Sequence, residues 1–222
     1  MSHIKIWLAS NSPRRREMIA WPGWPFQVAP SNIDESVKSG EKPLDYVRRL
    51  AYEKSMVAIP QARPGELIIA ADTIVVRDTD ILGKPSDAQS AFVMLKSLKN
   101  RSHQVITAIA LRLATRSDSW QEVCVSEVRM RNYSDQEIEA YIQSGDPFDK
   151  AGGYAIQNPR FNPVEHFCGC YASVMGLPLC HLERTLRKIP GYNPSDMSGI
   201  CRKKLKYDCP ITRRVLAGED IG

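Results

Sequence analysis

Leu67-Ile68-Ile69-Ala70-Ala71-Asp72-Thr73-Ile74-Val75-Val76 is the stretch from which both the fold and the chemistry are read. Its run of β-branched and small apolar side chains describes a buried strand, with Asp72 at the middle. A carboxylate there must be paired, metal-bound or neutralised, because an unpaired buried charge is strongly unfavourable. A bulge or strand end, where Asp72 meets solvent or a helix cap, is the plain alternative. The functional reading is preferred because perturbed carboxylates in clefts are frequent active-site residues.

Working outward, residues 4–9 (IKIWLA) are a short run of β character that leads into Ser10-Asn11-Ser12-Pro13. Serine and asparagine before a proline signal a helix start, with Pro13 suited to the first turn. Residues 14–20 read as that helix, stopped by Pro22-Gly23, and residues 26–29 as a second strand. Residues 43–58 are helical, with Leu44, Val47, Leu50, Ala51 and Lys54 at spacings of three and four. Beyond the central strand, residues 79–83 make a turn, and residues 87–98 an amphipathic helix gathering Ala88, Ala91, Phe92, Leu95 and Leu98. Strands at 102–114 and 120–130 are joined as a hairpin across Arg116-Ser117-Asp118-Ser119. Ser134-Asp135-Gln136-Glu137 is a capping box opening a helix to Gln143. Residues 145–157 are rich in turn formers, and residues 179–188 form a further helix. Interleaved strands and helices with a strand hairpin predict an α/β protein with a mixed sheet.

After Pro190 the composition changes to loop chemistry without a long period, which places a boundary near Ile189. The expected organisation is a body over residues 1–189 and a basic, cysteine-containing C-terminal extension over 190–222. The net charge of +5 is lodged mainly there: residues 181–222 hold nine Lys/Arg against five Asp/Glu. A basic tail on a near-neutral body points to a local anionic partner, not to a chain built around nucleic acid. Hydrophobic residues at 43% and charged residues at 25% exclude disorder and collagen-like repeats. The longest apolar stretch, 67–76, is about half of what a membrane span needs. Met1-Ser2-His3-Ile4-Lys5, with its short apolar segment and arginine run behind, does not read as a secretory signal. A soluble cytoplasmic protein without a membrane partner is expected.

Five of the six cysteines, Cys168, Cys170, Cys180, Cys201 and Cys209, crowd the last quarter, and Cys124 stands alone. Reduced thiols are expected in such a protein. With His181 they are enough for a tetrahedral zinc site, but the spacing is irregular, and buried thiols are the competing explanation. His103 is expected to cap or pack in its strand and His166 to lie in a loop.

Four groups could carry chemistry. At the first strand-to-helix turn, Ser10, Ser12, Arg14 and Arg15 combine hydroxyls, guanidinia and free backbone N–H groups, which suits an anion such as a polyphosphate. An ordinary N-cap with solvated arginines explains the same residues when they are taken alone. No Gly-x-x-x-x-Gly-Lys-Ser/Thr run occurs, which excludes a P-loop. Asp72 with Asp34-Glu35 offers hard oxygen ligands for a divalent ion. Lys54, and Lys84 on the rigid turn Gly83-Lys84-Pro85, are candidate phosphate contacts. In residues 149–157 (DKAGGYAIQ), paired glycines allow close backbone approach, and Gln157 offers donor and acceptor to a base edge.

In order along the chain, LASNSPRR, IDE, YVRRLAYEKS, AADTIVV, LGKPSDAQSAFVMLKSL, HQVITAIAL, EIEAYIQSGDPFDKAGGYAIQ and YASVMGLPL resemble the Maf family, the septum-formation-inhibitor homologues that act as nucleoside triphosphate pyrophosphatases. The resemblance runs from about Trp7 to Leu179. It implies an α/β cleft fold similar to the inosine-triphosphate pyrophosphatases, with a mixed sheet and flanking helices. It also implies a nucleoside triphosphate substrate cleaved to monophosphate and pyrophosphate, a divalent cation (Mg²⁺ or Mn²⁺), and a homodimer. Position by position, Ser10, Ser12, Arg14 and Arg15 match the phosphate-binding turn. Glu35 and Asp72 match the acidic pair, both as metal ligands and Asp72 as proton acceptor, and Lys54 and Lys84 match the triphosphate-facing lysines. Arg15, Thr73 and Gln157 match the positions that separate subgroups, and here resemble the dTTP/UTP branch, not the 7-methyl-GTP branch. Residues 158–166 (NPRFNPVEH) replace the glycines and short loop usual after Gln157, which bears on the wall of the base pocket. A non-catalytic regulator binding through Arg202-Lys203-Lys204-Leu205-Lys206-Tyr207 is the reading from a different class.

Overall fold

The computed structural model describes residues 5–114 and 119–221. Most of the hairpin tip expected across 116–119 therefore lies outside the described residues, as does Ile4. In chain order the elements are β1 (Ile6–Ala9), α1 (Pro13–Ala20), β2 (Phe26–Val28), α2 (Pro43–Val57), β3 (Leu67–Arg77), β4 (Asp80–Leu82), α3 (Ala88–Leu98) and β5 (Ser102–Leu113). There follow β6 (Ser119–Met130), α4 (Asp135–Gln143), β7 (Val164–Cys168), α5 (Tyr171–Met175), α6 (Leu179–Leu186), α7 (Met197–Leu205) and α8 (Thr212–Leu216). Seven strands form one mixed sheet in the order β2-β1-β3-β5-β6-β7, with β4 on β3. The pairs β1–β2 and β1–β3 are parallel, and the others are antiparallel.

Local signals explain where the helices begin. Ser12 caps α1 with Pro13 in its first turn. Asp87 caps α3 by accepting from the Ser90 N–H, and Ser134 with Glu137 closes a reciprocal capping box on α4. Each satisfies donors that the first turn of a helix leaves free.

β3 is buried on both faces because helices cover each. Ile74 and Val76 pack with Ile106, Ala108 and Ala110 of β5 against Tyr46, Val47, Leu50 and Ala51 of α2. Leu67, Ile69, Ala71 and Val75 enter the larger core on the opposite face, shared with α1, α3, α5 and α6. The buried stripe of α2 thus starts at Tyr46 and Val47, while Leu44 is exposed, contrary to the expected face. Ala88 is likewise exposed on α3, whose buried residues are Ala91, Leu95 and Leu98. The segment expected as a turn over 79–83 instead folds back as β4, because Asp78 takes φ +56° and lets Arg77 pair with Asp80.

The C-terminal part departs most from expectation. His166, expected in a loop, lies in β7 opposite Arg129. The region after Pro190 forms α7 and α8 and packs into the body: Met197 and Val215 are fully buried. Glu183 of α6 accepts the Ser198 N–H at 3.1 Å. Arg184 bridges Glu122 of β6 (2.6 Å) to the Val215 carbonyl (3.2 Å), and His181 Nε2–H donates to Ile221 O at 3.0 Å. All six cysteines are free thiols, with Cys124, Cys170, Cys180 and Cys201 buried. Among the described residues no group of three or more His, Cys, Asp or Glu side chains could hold a metal ion, and no helix is long and apolar enough to cross a membrane.

Candidate active site

The cleft opens where β3 changes partner. β1 pairs with β3 only as far as Ala70, and β4 pairs with it only from Val75. Between them, among the described residues, residues 71–74 carry no strand on that side. The gap lies beyond the C-terminal end of β1, the position at which open α/β sheets receive ligands. A cleft of about 650 Å³ fills it, within the range of small-molecule sites. All ten residues singled out from the sequence line it. Asp34, the neighbour of Glu35, does not; its carboxylate caps the Ser36 N–H at 2.9 Å.

The period of two along a strand sends Asp72 and Thr73 to opposite faces. On the α2 face, Lys54 Nζ stands 2.5 Å from Asp72 Oδ1 and 2.7 Å from Glu35 Oε1. The Lys54 and Asp72 side chains are each 9% exposed, whereas Glu35 is 48% exposed toward the cleft. Burial raises the Asp72 pKa above its ordinary value, against the opposing charges of Lys54 and Arg15. Burial would also raise Glu35, but the hydrogen bond and charge of Lys54 outweigh it and leave Glu35 lowered. Two carboxylates on one ammonium are therefore pushed in opposite directions, the pattern by which sites separate proton acceptor from permanent anion. The Tyr46 hydroxyl donates to the Glu35 carbonyl at 2.7 Å and holds that loop over Lys54. Tyr46 was missed in the sequence, although it lies eight residues, about two turns, before Lys54 on the same helix face.

On the other face, the Arg15 guanidinium reaches from α1 to three partners. Its Nε–H donates to the Gly176 carbonyl (2.8 Å), Nη2 to Thr73 Oγ1 (2.8 Å) and Nη1 to Ser10 Oγ (3.3 Å). Ser10 Oγ also accepts the Ser12 N–H at 3.2 Å, which folds the turn into a ring of donors around the cleft floor. Gly176 has φ +113°, and a Cβ there would stand 3.4 Å from Arg15 Nε and 3.5 Å from Thr73 Oγ1. Glycine is thus favoured by the backbone conformation, while the guanidinium stands at ordinary contact distance.

Flexible cations and amides form the rim. Lys84 and Gln157 are exposed and line the mouth. The turn bearing Lys84 is tied to the paired glycines by Gly152 N–H donating to Gly83 O at 3.0 Å. At Gly152 a Cβ would come within 2.7 Å of Val75 Cγ2, so close packing on β3 requires glycine. Across the mouth, Arg14 pairs with Asp149 at 3.4 Å, and Lys150 holds Asp149 and Asp146 from beneath. The divergent segment 158–166 contributes nothing to the lining, contrary to its expected bearing on the base pocket. Asn158 caps the Arg160 and Phe161 N–H groups, and Phe161 stacks on Tyr141 with ring centroids 4.3 Å apart. The loop is thereby pinned into the core.

The model of the family described as Maf, Maf-like protein, matches residues 5–189. The chain is similar to the dTTP/UTP pyrophosphatase of Thermomicrobium roseum, 46% identical over 209 residues that cover 92% of each protein. It is also similar to the dTTP/UTP pyrophosphatase of Methylococcus capsulatus, 44% identical over 84% of this chain and 91% of that one. Among solved structures, a nucleoside-triphosphatase / dITP/XTP pyrophosphatase from Mycobacterium abscessus overlaps 57% of this chain and 74% of its own, with a TM-score of 0.38 and 14% identity.

Proposed function

The chain belongs to the Maf family, and on that footing we propose that it is a nucleoside triphosphate pyrophosphatase that cleaves dTTP and UTP to the monophosphate and pyrophosphate. The observation that carries this reading is the buried Lys54–Asp72 pair, shared with Glu35, in a cleft whose floor is the Ser10–Ser12–Arg15 turn. The relatives named dTTP/UTP pyrophosphatase support the choice of substrate.

In the reaction, Asp72 takes a proton from water as the water oxygen bonds to the α-phosphorus. The bond from that phosphorus to the α–β bridging oxygen breaks, and pyrophosphate leaves. A carboxylate with a raised pKa is a better proton acceptor near neutral pH than an ordinary one. Charge developing on the bridging oxygen is met by Lys54, Lys84 and Arg14. Ser10, Ser12 and Arg15 orient the phosphates, while Thr73 and Gln157 bound the base. No covalent nucleophile is needed, and the serines act as ligands to phosphate.

Glu35 and Asp72 both direct an oxygen at a single positive charge, and half-exposed Glu35 faces open cleft volume. Two hard oxygen donors with room for phosphate and water oxygens suit Mg²⁺ or Mn²⁺. Such an ion, when bound, would neutralise charge on the phosphate oxygens. The family resemblance extends the proposal to a homodimer; the sequence adds a cytoplasmic location and residues 190–222 as an extension, which packs on the 1–189 body.

Product analysis across a panel of nucleoside triphosphates with Mg²⁺ or Mn²⁺ tests the reading. Monophosphate plus pyrophosphate, fastest from dTTP and UTP, is expected. The same products fastest from a purine nucleotide would overturn the substrate choice, and no turnover by folded protein would overturn the enzyme.

A further inference from the structure

We propose that Thr107, a residue outside the cleft, is the positioning residue that fixes the Arg15 guanidinium and through it the affinity for the nucleotide. The inference deepens the proposed function and rests on it. Thr107 lies on β5 directly opposite Thr73 in register, is fully buried, and is not part of the cleft lining. Its hydroxyl donates to the Ser173 carbonyl at 2.8 Å. A threonine hydroxyl has one proton, so in its 2.9 Å contact with Thr73 Oγ1 Thr107 can only accept. Thr73 is then the donor of that bond, and its own lone pairs are presented to Arg15 Nη2 at 2.8 Å. The direction of every bond is set: Arg15 to Thr73, Thr73 to Thr107, Thr107 to the backbone of α5.

The second arm of the guanidinium closes the arrangement, since Arg15 Nε–H donates to Gly176 O, just past the end of the same helix. Arg15 is thus suspended between the sheet and α5, and its Thr73 anchor is set from behind by Thr107, which is not part of the cleft lining. Replacing the Thr107 hydroxyl with a methyl group removes the only acceptor to which Thr73 donates among the described residues. Thr73 then loses the partner that holds its proton away from Arg15, so the orientation in which its lone pairs face the guanidinium is no longer fixed. The groups of the α2 face, Lys54, Glu35 and Asp72, are untouched by this change, so the chemical step should survive while binding weakens.

The test measures kcat and KM for dTTP and UTP on the full chain carrying Thr107→Val, Thr107→Ser, Arg15→Lys, and Thr107→Val with Arg15→Lys. Thr107→Val is expected to raise KM about tenfold with kcat within about twofold, the signature of lost uniform binding. Thr107→Ser, which keeps the hydroxyl, should stay within about twofold of wild type. In the Arg15→Lys background, Thr107→Val should add less than about twofold, because residues acting through one another are not additive. Full additivity, or equal damage from the serine variant, would overturn the proposal. An independent arm follows the Arg15 side-chain N–H by nuclear magnetic resonance, with slow exchange expected in wild type and Thr107→Ser. Rapid exchange in wild type would overturn the proposal even if Thr107→Val fails to fold. A wild-type chain that turns over no nucleotide but keeps a slowly exchanging Arg15 would sink the functional reading and leave the positioning role standing.

Discussion

Asp72 and Thr73 are adjacent in the chain and occupy opposite environments. Asp72 shares a lysine with a half-exposed glutamate, so its face of β3 is charged and open on one side. Thr73, half-buried at the cleft, begins a neutral, one-way series of hydrogen bonds that ends on the backbone of α5, with Arg15 as the one charged member. The charged face can change protonation, because removing or adding a proton there is buffered by nearby opposite charge. The neutral face cannot change without leaving a donor or acceptor unpaired, which costs about 1–3 kcal/mol for each group. The proposed proton transfer and the proposed positioning thus fall on opposite faces of one strand.

The comparison predicts unequal responses. Asp72→Asn should lower kcat by about 10²–10⁴-fold with little change in KM, the range for loss of a general base. Steady-state kinetics on dTTP would check it, and a rise in KM alone would erase the distinction between the faces. Lys54→Met strips the cation from a buried carboxylate and should cost about 3–5 kcal/mol of stability, read from denaturant unfolding. A loss as small as that of an exposed ion pair would mean that Asp72 is not held as described.

The third effect belongs to the neutral face. His103, on the same side of β5 as Thr107, is 4% exposed and bonds the Tyr154 hydroxyl through Nε2 at 2.7 Å. Burial lowers its pKa from 6.5 to about 4. Below 6.5 the unfolded chain takes up the proton and the folded chain does not. Stability is therefore present above 6.5 and declines as pH falls toward 4, by about 3 kcal/mol in all. Unfolding measured over that interval should show the slope, and His103→Gln should flatten it.

The smallest effect is a displaced kinetic limb. The raised Asp72 pKa places the acid limb of kcat/KM above 3.8, the ordinary aspartate value, with activity lost as pH falls through it. The linked stability has the opposite sense to that of His103. Between 3.8 and the raised value the unfolded chain has already released its proton, so the Asp72 contribution falls as pH rises. An acid limb at or below 3.8 would return the proton-accepting role to another group.

Much of the scaffold was legible because its signals are local. The Ser12 cap with Pro13, the Ser134–Glu137 capping box and the apolar run around Asp72 each act within a few residues, and each reappears as an element boundary or a buried strand. The residues that line the cleft were legible for the same reason, since a carboxylate in an apolar run stands out whatever surrounds it. Errors arose where packing decided. Leu44 and Tyr46 both satisfy helical periodicity, and only the sheet beneath α2 selects Tyr46. α7 and α8 carry too few apolar residues for a long period, yet Met197 and Val215 each find a fully buried place against the body.

From residues alone, this protein was bound to have a buried acidic strand, an anion-suited helix start and glycine turns near a lysine, because backbone geometry and the cost of burying charge act on each segment separately. Tertiary structure alone decided that Arg15 meets Gly176 across 161 positions, that Thr107 stands behind Thr73, and that Lys54 serves two carboxylates at once. Those contacts depend on strand order and register, which are properties of the whole sheet and are written in no single stretch of the chain.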